Sequence, residues 1–119
     1  LLIVSGVFQY FFEDKIIEFI KNLKKEFPYG ELIFDTTTKN GLKFTNWFIK
    51  KTGNPEALMH FYIEDSVNFS KKTDTILVEE FIFFKDAREL LRKKLNFITK
   101  LFMKIADSKR QTLIIHLKW

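Results

Sequence analysis

The chain opens on an unbroken apolar run. Leu1 to Val4 are all branched aliphatic residues, and such a run without polar alternation suits a parallel strand covered on both faces. Ser5-Gly6 breaks the run with a small-residue turn. Glu13-Asp14 then place acidic side chains where a helix start favours them, beside its exposed amides and the positive end of its dipole. Ile16, Ile17, Phe19, Ile20, Leu23 and Phe27 recur on one helical face, with Lys15, Glu18, Lys21, Asn22, Lys24 and Lys25 on the other. Pro28-Tyr29-Gly30 stops this helix. Glu31 to Asp35 is apolar in its middle and bounded by turn residues, which predicts a second buried strand. Strand, helix and strand within about 35 residues make a βαβ unit with a right-handed crossover.

From Lys39 to Lys51 the pattern predicts a helix whose apolar residues, Leu42, Phe44, Trp47, Phe48 and Ile49 among them, wrap much of the circumference and call for cover on more than one side. Thr52-Gly53-Asn54-Pro55 is a loop, and Leu58 to Ile63 is a short apolar segment whose type stays open. Glu64-Asp65-Ser66 cap a short helix through Phe69 to Lys72. Thr75 to Phe84, β-branched and aromatic, predicts a strand; Glu79-Glu80 put one carboxylate on each face, which implies an edge or near-edge position. Asp86 starts the longest predicted helix, to about Ala106, with Leu90, Leu91, Leu95, Ile98, Phe102 and Ile105 as its apolar stripe and Arg88, Arg92, Lys93, Lys100 and Lys104 outside it. Gln111 to Trp119 alternates Leu113, Ile115, Leu117 and Trp119 with Thr112, Ile114, His116 and Lys118, the pattern of an antiparallel edge strand with one wetter face.

Composition narrows the class. With 119 residues there is room for one core, so the chain is one domain or part of one. No apolar run approaches the ~18 residues of a membrane span and no signal-peptide pattern is visible. No membrane partner is therefore expected, and a cytoplasmic location is. The absence of Cys removes disulfides, thiolate metal sites and Cys nucleophiles, and fits a reducing compartment. Fifteen Phe are unusual for this length, and their strand and helix spacing assigns them mainly to a core. The net charge of +5 comes from Lys and Arg spread along helices, without the Gly and aromatic signatures of nucleic-acid modules. Solvated helix faces account for it, and no nucleic-acid partner is expected. A basic nucleic-acid-binding domain is the least favoured reading.

Candidate chemistry follows from the βαβ unit. Ligands of open parallel sheets bind beyond the carboxyl ends of the strands, so Ser5-Gly6-Val7 and Asp35-Thr36-Thr37 should lie side by side on one rim. Asp35 either orients or deprotonates a ligand there or caps the next helix. His60 could face the cleft but fits a structural role better, and His116, in an alternating strand, reads as a surface or satisfied packing residue. Two isolated His make no metal site. Ser70, Thr36 and Thr37 lack nucleophile-elbow or triad spacing.

The combination of SGVFQYF at a strand end, the acidic helix start, FPYGELIFDTTTKNGLKFTN, KKTGNPEALMHFYIED and the closing KRQTLIIHLKW resembles the C-terminal half of class I S-adenosylmethionine-dependent methyltransferases. The nearest branch contains the leucine carboxyl methyltransferases and tetracenomycin-type polyketide O-methyltransferases. The resemblance covers essentially all 119 residues in order, with FPYGELIFD and KKTGNPEA its most specific stretches. It implies an α/β fold, the C-terminal half of a Rossmann-like methyltransferase: two parallel strands in a βαβ unit followed by two further strands, the last antiparallel. Residues 1–119 would then be a partial domain, and Leu1 to Val4 an internal strand without its neighbour.

The same resemblance implies S-adenosylmethionine as cofactor and a small-molecule methyl acceptor. It sets Ser5, Gly6 and Val7 beside the cofactor, although Ser5 stands where many members have Glu. Tyr10, Asp35, Asn46 and Tyr62 fall near the acceptor; Tyr62 belongs to a segment where the family inserts substrate-binding elements. The family's glycine-rich loop and ribose-binding acidic residue would lie upstream of Leu1, so the isolated chain is expected to be inactive. Methyl transfer is an in-line displacement that mainly needs alignment, and no particular catalytic residue is implied. The alternative is a non-enzymatic binding or interaction module. In either case the exposed first strand invites self-association into a homo-oligomer.

Overall fold

The computed structural model describes residues Leu1–Trp119. Its centre is a four-stranded mixed sheet of β1 (Leu2–Val4), β2 (Glu31–Thr37), β3 (Ile76–Ile82) and β4 (Thr112–Lys118), in the spatial order β1-β2-β4-β3. β1 runs parallel to β2, Val4 facing Phe34, while β4 is antiparallel to both β2 and β3. The last strand thus opposes the other three and is inserted between β2 and β3. The helices are α1 (Glu13–Glu26), α2 (Lys39–Lys51), α3 (Ser66–Thr73), α4 (Lys85–Leu90) and α5 (Phe97–Ser108).

One face of the sheet is closed. Leu32, Phe34, Leu113, Ile115 and Leu117 alternate onto it and meet Ile16 and Ile20 of α1, Phe69 of α3, and Phe8, Phe61 and Ile63 from the connections. Phe34 lies 5.1 Å from Phe8 and 6.1 Å from Phe69 between ring centres, so the interior is an aromatic cluster. Only four of the fifteen Phe are buried and nine are exposed, so the expected assignment of most Phe to the core is corrected. The opposite face carries Ile3, Ile33, Asp35, Ile114 and His116, none of them fully buried.

Several elements follow the local pattern closely. Glu13 and Asp14 occupy the first turn of α1 and Lys24 and Lys25 its last, complementing the dipole at both ends. Asp65 caps α3 by accepting from the Asn68 amide at 2.9 Å. Gly41, in the first turn of α2, is packed so closely that an added Cβ would fall 2.5 Å from the Gln111 carbonyl oxygen, letting α2 start against the β4 end of the sheet.

Others depart from expectation. The single helix from Asp86 to Ala106 is two: α4 ends at Leu90, and α5 starts anew where Asn96 accepts from the Thr99 amide at 2.7 Å. The cause is a long-range anchor. Buried Asp107 pairs with Arg88 at 2.6 Å and accepts from the Phe84 amide at 3.0 Å, which folds the two helices into a hairpin. β4 is interior, not an edge; alternation reports that one face is wetter and says nothing of how many neighbours a strand has. β3 is an edge strand, as its paired carboxylates implied, with an irregularity between Leu77 and Glu79. Glu80, next to it, binds Ser66 at 2.6 Å and pairs with Arg110. The helix α2 lacks the cover its apolar girth called for: Phe44, Trp47 and Phe48 are all exposed. β1 has a single neighbour, and Ile3 is 65 % exposed, so the two covered faces expected of this run are not present.

Candidate functional site

The carboxyl ends of β1 and β2 form the rim. After Val4 the chain turns at Gly6, whose φ of 69° lies in the left-handed region that a Cβ would strain. That conformation aims the Gly6 amide across to β2, where it donates to Asp35 Oδ1 at 2.7 Å. The predicted neighbours, Ser5-Gly6-Val7 and Asp35, are therefore side by side. Asp35 is not the cap of the next helix: Thr38 is, accepting from the Gly41 amide at 3.4 Å. Nor does Asp35 end its strand, which runs on to Thr37. One of its oxygens is engaged in closing the β1 turn.

Behind Gly6 a 3-10 turn at Phe8–Tyr10 sets Phe8 into the core and leaves Tyr10 exposed. The Gln9 carbonyl accepts from the amides of His60 at 2.7 Å and Phe61 at 3.3 Å, while the Ile63 amide donates to the Thr37 carbonyl at 2.9 Å. The open-type segment 58–63 is thereby resolved as an extended stretch that pairs with no strand and closes the rim from the α3 side. Asn46 of α2 holds its start: the amide nitrogen donates to the Met59 carbonyl and the amide oxygen accepts from the Met59 N–H, both at 2.8 Å. Both polar ends of the Asn46 side chain are thus engaged by the Met59 backbone.

The remaining candidates separate. Val7 lines an apolar groove of about 420 Å³ with Leu2, Val4, Phe8, Phe11 and Phe19, between β1 and α1. Tyr62 lines a different, polar concavity with Glu13, Glu64, Asp65, Asn68 and Lys72. His60 is exposed and stacks on Phe12 with ring centres 4.4 Å apart. His116 meets Glu31 at 2.9 Å, the satisfied packing role expected of it. No group of three or more His, Cys, Asp or Glu is placed to hold a metal ion.

Gln9 was not apparent from the sequence as a site residue. Its side-chain oxygen is buried without a hydrogen-bond partner, and its side-chain nitrogen lies about Gly6, 3.8 Å from where a Cβ would be. A polar residue between Phe8 and Tyr10, just after the turn, is the only signal the sequence offers for it. An unpaired buried oxygen at a rim is a place where a ligand donor gains a bond that the protein does not supply.

None of the five main concavities is lined by Ser5, Gly6 or Asp35. The rim is one wall, without the opposing wall that would enclose S-adenosylmethionine, and these residues do not by themselves fit that cofactor. Scanned against models of known protein families, the sequence matches none, and no curated protein matches it significantly.

Proposed function

We propose that the chain is the C-terminal segment of an S-adenosylmethionine-dependent O-methyltransferase acting on a small molecule in the cytoplasm, inactive on its own. The observation that carries this reading is the Gly6 to Asp35 closure at the carboxyl ends of two parallel strands, where an open α/β sheet binds its ligands. An antiparallel last strand agrees with the resemblance. In this reading Ser5, Gly6 and Val7 line one side of the cofactor, and Tyr10 and Asp35 look toward the acceptor. Asn46 serves indirectly, by holding segment 58–63, to which Tyr62 belongs. A further parallel strand bearing the glycine-rich loop would pair with the open side of β1.

The test is calorimetric titration of the 119-residue chain with S-adenosylmethionine, alongside photolabelling of the protein isolated from its source with the radiolabelled cofactor. No micromolar binding is expected from the 119 residues alone, with labelling of the native protein that S-adenosylhomocysteine suppresses. Micromolar binding by the isolated chain would sink the incomplete-site account, and an unlabelled native protein would sink the methyltransferase reading.

A second reading, a non-enzymatic interaction module, is favoured by one observation. The unpaired edge of β1 borders the 420 Å³ apolar groove, a combination that accepts an added strand together with its side chains.

A further inference from the structure

The hairpin of α4 and α5 is built inside out. At 100° per residue, Thr99, Met103, Ala106 and Asp107 share the side of α5 that is partly or wholly buried against the body. The large apolar residues lie on the other side: Phe97, Ile98, Leu101, Phe102 and Ile105 form one continuous stripe, and all are exposed. Phe97 is 78 % accessible, Phe102 68 %, and Leu90 at the end of α4 85 %. A helix normally turns such a stripe toward the core. Here the Arg88 to Asp107 pair and the Phe84 amide bond hold α5 by its small and polar side, so the stripe is presented outward.

Charge is concentrated at the same place. Residues 85–109 hold eight Lys or Arg against three Asp or Glu, an excess of five that equals the net charge of the entire chain. The rest of the molecule is electrically balanced. Lys104 flanks the apolar stripe along one border, with half-buried Lys100 behind it, and Arg92, Lys93, Lys94 and Lys100 line an open concavity of about 650 Å³ at the tip of the hairpin.

We propose that the α4–α5 hairpin is a peripheral membrane-contact surface, with Phe97, Ile98, Leu101, Phe102 and Leu90 entering the interface of an anionic bilayer and the surrounding lysines and arginines meeting its headgroups. An apolar helical stripe bordered by basic residues is the composition of a helix that lies in the membrane plane. α5, at 12 residues, is no span, and no helix of the chain is long and apolar enough to cross a membrane. The sequence-based expectation of no membrane partner rested on the absence of a spanning run and of a signal-peptide pattern, neither of which bears on a surface contact.

Other occupants fit less well. A second copy placed face to face would set two hairpins of the same excess charge against each other. A nucleic acid would use the basic residues and leave five large apolar side chains without a role, since phosphate contacts are polar. A protein helix would want a groove, and none of the five main concavities is lined by the stripe from Phe97 to Ile105. The contact stands independently of any methyltransferase activity.

Cosedimentation of the 119-residue chain with vesicles tests it. Vesicles of phosphatidylcholine with about 30 % phosphatidylserine are expected to bind at least ~10-fold more protein than phosphatidylcholine alone, and less as salt rises. Phe97→Ser with Phe102→Ser should lower that binding at least ~10-fold while the circular dichroism stays unchanged, because both side chains are already exposed. Arg92→Gln, Lys93→Gln and Lys94→Gln together should lower it by a similar factor. Equal binding to both vesicle types, or none to either, overturns the proposal. So does duplex DNA binding lost in the triple variant, with vesicle binding indifferent to the Phe pair, which identifies a polyanion site. A dimer seen by light scattering and split by the Phe pair overturns it in favour of a second copy.

Discussion

Asp74 shows how much a single exposed residue can be shaped by a distant one. It ends α3 in the left-handed region, φ 51°, and receives the Lys24 ammonium of α1 on its carboxylate at 2.8 Å, while the same ammonium also reaches the Thr73 and Asp74 carbonyls. The hydrogen bond from Lys24, and then its charge, hold the Asp74 carboxyl below its ordinary value of 3.8. A depressed carboxylate stabilises the fold fully above its unfolded-state value and loses that contribution as the pH falls through its folded-state value. Lys24→Gln is expected to return the Asp74 titration, followed by carbon-detected NMR, toward the ordinary value, and to remove that part of the acid dependence of stability. An unmoved titration would show that the pair is not formed in solution. Asp35 carries the complementary lesson at the rim. Sequence offers it two local roles, base or helix cap. The contact it makes, with an amide twenty-nine positions earlier, comes from strand pairing and leaves no mark on the residues around it.

At the scale of elements, α1, α2 and α3 were legible almost to the residue and β2 to within two, because helix stops, turn residues and apolar periodicity are local signals. The split between α4 and α5 was not, although Asn96 is a good cap residue, because the apolar spacing continues straight through it. What divides the helix is the buried Asp107 and its partner Arg88, nineteen residues away. Segment 58–63 is the reverse case: its apolar pattern fits more than one element, and it becomes an extended stretch because Asn46, Gln9 and Thr37 each supply backbone partners. Asn46→Ala removes both bonds to Met59 and leaves a part-buried N–H and C=O unpaired, at a cost of about 1 to 3 kcal/mol. Urea unfolding should show that loss, with amide exchange at Met59 and His60 faster than in the parent chain. Unchanged exchange there would mean that Gln9 and Thr37 suffice to hold the segment.

For the whole molecule, one closed face of the sheet stands against several open apolar surfaces: the β1 edge, the outer side of α2, and the α4–α5 stripe. An unpaired strand edge beside exposed Leu1, Leu2 and Ile3 favours self-association, and a charge on the edge suppresses it. Ile3→Lys is therefore expected to leave the unfolding free energy within about 0.5 kcal/mol of the parent and to reduce the mass measured by light scattering at high concentration. Association that persists unchanged would locate the contact on another surface. Periodicity, caps and turn residues sufficed for the α/β class, the βαβ opening, the antiparallel last strand and the placing of Ser5-Gly6-Val7 beside Asp35 on one rim, since each follows from the face or direction a residue takes within its own element. Strand order, the insertion of β4 between its neighbours, and the outward turn of the α5 stripe come from tertiary contacts instead. Hydrophobic spacing states that a face is apolar, and the same spacing serves a face that meets the core and one that turns outward. Which of these α5 does is settled by the buried Asp107 and Arg88, whose pairing fixes the side of the helix that turns inward.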